Sequence, residues 1–200
     1  MARKKILYTH ELPYHVMARS NNKEWFYLPI SQSWQIFTEC LRKTQDKYGL
    51  SIYIFVLMDN HYHLVCQCSE KHSLGEAMNY FQQSVSKAIN KATGRINHVF
   101  GGPYKGSLIR TPSHFAKIYK YVARNPVTAG ITKNIQSYQY STHLNPQIEI
   151  LPKNEWFAEF PNNSEQWLNE DFQDEQYWAI HRSLKKPEFK LKNRVTRRSY

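Results

Sequence analysis

Two histidines one residue apart, His61 and His63, sit in the middle of SIYIFVLMDNHYHLVCQCSE, an apolar and β-rich run over residues 51–70. In an extended strand successive side chains alternate between faces, so both imidazoles point the same way, roughly 6 to 7 Å apart along the chain, while Tyr62 and Leu64 point the other way. Two imidazoles so placed can grip one metal ion. They can equally be half-buried histidines on an amphipathic strand, and the spacing alone does not separate the two readings. Farther on, Tyr121 and Asn125 lie one helical turn apart on a flank away from the apolar stripe of their segment, so a phenol and an amide can reach out together.

The elements that must position these groups follow from periodicity and punctuation. Asp59-Asn60, residues that tolerate left-handed backbone angles, form a two-residue turn between strands, so His61 opens the returning strand of a hairpin. Residues Tyr14 to Arg19 alternate as a first strand, with Arg19 at its end placed either to meet a phosphate or to lie in solvent. Ser31 to Tyr48 carries Trp34, Phe37, Cys40, Leu41 and Thr44 at helical spacing and stops at Gly49. Ser73-Leu74-Gly75-Glu76 has the form of a capping box, in which each side chain satisfies a free N–H at a helix start; the helix runs to about Thr93 with Gly94 as its left-handed cap. Tyr104 to Ile109 reads as a fourth strand. Thr111-Pro112 then opens a helix to about Asn125, ended by Asn125-Pro126.

The chain has 200 residues, enough for one domain that buries a core without disulfides. Cys40, Cys66 and Cys68 are an odd number without a CxxC pair, which reads as reduced core thiols in a cytoplasmic protein. With no export signal and no apolar run long enough to span a bilayer, no membrane role is expected. A net charge of +11, a pI near 9.5 and 14% aromatic residues suit a polyanion with flat bases to stack. That favours single-stranded nucleic acid, in the cytoplasm and associated with the nucleoid. The charge is uneven: Glu149 to Glu175 is acidic and Trp-rich, whereas the tail after Arg182 is basic with little to bury.

MDNHYHLV, followed in order by YVARNPVTAG, resembles the HUH single-tyrosine transposases, most closely the REP-associated tyrosine transposases and their insertion-sequence relatives. YHVMARSNN near the N-terminus and YKGSLI before the last core helix add to the likeness, which spans Tyr14 to Gly130. Ser20 stands where that family usually has Gly, and Pro103 replaces a common basic residue. The resemblance implies an α+β, ferredoxin-like sandwich: an antiparallel sheet of four to five strands with helices packed on one face and the metal site on the other. Together with the shift in composition and charge, this gives a catalytic domain over 1–148, an acidic, Trp-rich C-terminal extension, helical in part, over 149–184 and a basic tail over 185–200.

Carried over position by position, the resemblance makes His61, His63 and Asn125 the ligands of Mg²⁺ or Mn²⁺ and Tyr121 the nucleophile, with Tyr119 turned to the apolar side. It also implies hairpin-bearing single-stranded DNA as partner, with Arg19, Lys105, Arg110, Lys117 and Arg124 as candidate contacts, and a monomer rather than a dimer. Such an ion draws charge from a phosphate oxygen while the phenol attacks phosphorus, forming a 5′-phosphotyrosine that stores the bond for rejoining. The alternative is a binding module that uses the same basic, aromatic surface without catalysis.

Overall fold

The computed structural model describes residues 8–191; the basic lead at Met1–Lys5 and the tail from residue 192 lie outside the described residues. Four strands, β1 (Tyr14–Arg19), β2 (Ser51–Leu57), β3 (His61–Gln67) and β4 (Lys105–Leu108), form one sheet in the order β2-β3-β1-β4, with all three pairings antiparallel. Six helices accompany them: α1 (Ile30–Tyr48), α2 (Leu74–Thr93), α3 (Pro112–Ala123), α4 (Asn125–Thr128), α5 (Ser164–Asn169) and α6 (Asp174–Ser183). The expected α+β architecture is present.

Strand alternation sorts the core into two. Val16, Leu64, Cys66 and Phe55 face α1 and α2, whose stripes through Phe37, Leu41, Phe81 and Val85 are fully buried against them. A bulge in β2 breaks the parity: Ile52 pairs with Cys66 and Ile54 with Val65, so Tyr53 and Ile54 both turn to the opposite core, built on Phe115, Ile118 and Val122 of α3. The two-helix layer therefore covers one face, and α3 with the C-terminal extension covers the other. The three cysteines are free and buried.

Local rules place the ends. Ser73 and Glu76 form the capping box, with Ser73 N donating to Glu76 Oε2 at 2.8 Å and Glu76 N to Ser73 Oγ at 3.3 Å. Gly49 and Gly94 close α1 and α2 at φ 60° and 69°. Thr111 caps α3 by accepting from His114 N at 3.2 Å. The 59–60 hairpin turn forms, but neither residue takes a left-handed φ. Neighbouring chain fixes the turn instead: Asp59 O accepts from Phe26 N at 2.9 Å, Asn60 O from Ser20 N at 2.8 Å, and Asn60 Nδ2 donates to Lys23 O at 2.9 Å.

Both sheet edges are covered, which removes the unpaired backbone that invites association. Along β2, Leu57 N donates to Tyr140 O at 3.0 Å and Leu151 N to Ile52 O at 2.7 Å. Along β4, Leu108 N donates to Pro187 O and Leu108 O accepts from Phe189 N, each at 2.9 Å. This corrects the expectation of a tail with little to bury: Phe189 is fully buried, its ring 5.0 Å from that of His114. Among the described residues no helix is long and apolar enough to cross a membrane.

Candidate functional site

On the α3 face, β1 contributes His15, Met17 and Arg19, β3 contributes His61 and His63, and β4 contributes Lys105 to one cavity of about 240 Å³. Tyr121 of α3 and Asn125 of α4 close one wall, and Tyr177, His181 and Lys185 of the extension close another. The histidine rings of β3 lie 5.1 Å apart and perpendicular. Tyr121 meets His63 edge-on at 5.8 Å, and its hydroxyl is 2.9 Å from His181 Nδ1.

Asn125 is held by the helix break. α3 stops at Ala123 and the chain resumes one turn of helix at Asn125 rather than ending there, because Pro126 sits in the first turn of α4, where a missing N–H costs nothing. Asn125 Nδ2 donates to Tyr121 O at 2.8 Å, which leaves Oδ1 as the free end of the amide.

Burial governs the protonation of this site. It lowers His15 to about 3 and His61 to about 4, the latter helped by Arg19. His63 is pushed well below the ordinary histidine value by burial and then by His15 and His61. All three are neutral at pH 7, the state in which imidazole binds metal. Nδ1 of His61 is taken by Asn60 Oδ1 at 2.7 Å and Nδ1 of His63 by His15 Nε2 at 2.8 Å, so each ring has Nε2 to offer. Among the described residues no three His, Cys, Asp or Glu side chains converge on a metal position. His61 Nε2, His63 Nε2 and Asn125 Oδ1 are the nitrogen and oxygen donors of this cavity that could hold a divalent cation. Tyr121 moves the other way: burial, then the Tyr177 phenol, raise it well above the ordinary tyrosine value, against a smaller pull from Arg19.

The model of the IS200-like transposase family matches residues 8–125. The chain belongs to the IS200-like transposase family. Its fold is shared with a structure of the REP-associated tyrosine transposase bound to a REP hairpin, at 15% identity and a TM-score of 0.62, over 76% of this chain and 89% of that one. A crystal structure of a candidate transposase from Deinococcus radiodurans aligns at 14% identity with a TM-score of 0.42, over 61% of this chain and 94% of the other, too weak a likeness to argue from. No curated protein matches the sequence significantly.

Within this transposase fold, His61, His63, Tyr121, Asn125, Arg19 and Lys105 share one cavity. Tyr119 does not join them; its hydroxyl lies 3.2 Å from His143 Nδ1 on the other side of α3. Three expected nucleic-acid contacts are elsewhere. Arg124 is only 3% exposed, bound to Leu168 O, Asn169 O and Asp171, so it anchors the extension instead of meeting DNA. Arg110 pairs with Glu188 at 2.5 Å, and Lys117 lies with Trp167 and Glu170 away from the histidines. The sequence reading missed His15, Tyr177 and His181. His15 shares a strand face with Arg19, a parity visible in YHVMAR, but only the β1–β3 register brings it to His63; nothing in the extension marks its two residues.

Proposed function

We propose that the chain is a metal-dependent enzyme that nicks and rejoins hairpin-bearing single-stranded DNA, of the REP-associated type, with Tyr121 as nucleophile. The packing of Tyr121 against His63 in a cavity shared with His61 and Asn125 carries this reading. Arg19 and Lys105, both exposed on the cavity rim, hold the DNA backbone near the phenol. They also line a neighbouring cleft of about 560 Å³ with Lys23, Asn21 and Asn22, a path for the strand leading to the scissile phosphate. His61, His63 and Asn125 would hold Mg²⁺ or Mn²⁺, which would supply charge withdrawal from a non-bridging phosphate oxygen. The Tyr121 oxygen attacks phosphorus, and the 3′ oxygen leaves, so the strand end stays on the protein as a 5′-phosphotyrosine until a 3′-hydroxyl displaces it.

One chain supplies both the histidine pair and the tyrosine, which supports Tyr121 acting in cis. In a test, protein, Mn²⁺ and single-stranded oligonucleotides each carrying one stem-loop are resolved on a denaturing gel. A covalent adduct is expected from the wild type, and none from Tyr121→Phe, from His61→Ala or in chelator. Binding without any adduct in wild-type protein would instead mark a non-catalytic binding module.

A further inference from the structure

A tyrosine phenol ordinarily carries its proton at neutral pH, so an attack by Tyr121 on phosphorus requires something to take that proton. The cavity supplies few acceptors. Among the described residues no Asp or Glu lines it, and Arg19, Lys105 and Lys185 are cations. His15 is bonded to His63, while His61 and His63 have the metal-ligand role. Tyr177 also bonds the Tyr121 side chain, but a neutral phenol is a far weaker base than an imidazole; His181 has its Nδ1 2.9 Å from the Tyr121 hydroxyl, inside the range for direct proton transfer.

Its position is built in. Tyr177 and His181 lie one turn apart on α6 and Lys185 follows just past its end; all three line the cavity. The His181 ring stacks on Tyr177 at 6.1 Å and 17°, and Trp178 meets its edge at 5.6 Å. Fully buried Ile180 ties the helix to the core. We propose that His181 is a catalytic residue, the proton acceptor for Tyr121 in cleavage and the proton donor to it in rejoining; this rests on Tyr121 being the nucleophile.

In cleavage the Tyr121 O–H bond breaks and its proton passes to His181 Nδ1. The Tyr121 oxygen bonds to phosphorus, the bond from phosphorus to the 3′ oxygen breaks, and that oxygen takes the leaving electron pair and a proton from solvent. Rejoining reverses each step, with His181 returning a proton to the departing phenolate. The groups facing His181 favour its neutral, accepting form: burial lowers it, followed by Lys185, Arg19, Arg182 and Lys105.

The test uses the full chain with Mn²⁺ and stem-loop oligonucleotides under single-turnover conditions. Wild type must first give an adduct that Tyr121→Phe abolishes; without it the underlying reading falls and this inference with it. Given that adduct, His181→Gln is expected to slow its formation by about 10²- to 10⁴-fold while leaving oligonucleotide affinity unchanged. Added imidazole is expected to restore a substantial part of the rate to His181→Ala, which has the space for it. A His181→Gln rate within threefold of wild type, a rate above it, or a loss that imidazole does not rescue overturns the assignment.

Discussion

His15 takes on its importance only when the β1–β3 pairing brings it beside His63. Its ring stacks on His63 at 5.1 Å, and its Nε2 lies 2.8 Å from His63 Nδ1, which leaves the far nitrogen of His63 for a metal. The arrangement makes stability pH-dependent. In the unfolded chain both His15 and His61 take protons near 6.5. In the folded chain they resist until about 3 and about 4. Between those values the unfolded state binds more protons, so stability is full above about pH 6.5 and is lost as pH falls toward 3. Urea midpoints of metal-free protein are expected to drop over that window, and His15→Gln, which keeps a partner for His63 without titrating, is expected to flatten the slope. An unchanged slope would remove His15 from the acid response.

The C-terminal extension behaves as part of the fold rather than an appendage to it. Arg124 and Lys120 of the α3 region hold it from beneath, Arg124 through backbone carbonyls and Lys120 beneath Trp167 and Phe172 at 4.8 and 5.1 Å. Residues 187–189 then run beside β4. Phe189→Ala should cost about 3–5 kcal/mol in urea unfolding, the usual range for deleting a buried ring; a cost under about 1 kcal/mol would mean that this segment is not docked. Here the sequence and the structure part company for a physical reason. Capping residues, a hairpin and a His-x-His parity act within a few residues, so α2, the β2–β3 pair and the facing of His61 and His63 were readable. Phe189 sits in KKPEFK, a stretch whose charges read as solvated, and His181 sits on a short helix in an acidic, Trp-rich segment. Each is defined by what it meets a long way off in sequence, as is Arg124, whose basic character suggested DNA while its burial serves the extension.

Considered as one body, the protein carries +11 charge, and the site opens between basic residues of β1 and β4. If Arg19 and Lys105 are phosphate contacts, Arg19→Gln and Lys105→Gln should each make the slope of log affinity against log salt shallower by about 0.7, the value for one phosphate contact on single-stranded DNA. Lys117→Gln should leave that slope alone; fluorescence anisotropy of a labelled stem-loop oligonucleotide across a salt series reads all three. The sheet, the α3 break and the extension together surround the Tyr121 phenol with imidazoles. The most direct test of Tyr121 as nucleophile is mass-spectrometric mapping of the peptide that stays joined to DNA after incubation with Mn²⁺ and stem-loop oligonucleotides. A 5′-phosphate ester on Tyr121 is the result expected; an ester on Tyr119, Tyr177 or any other side chain would contradict the mechanism proposed for this site.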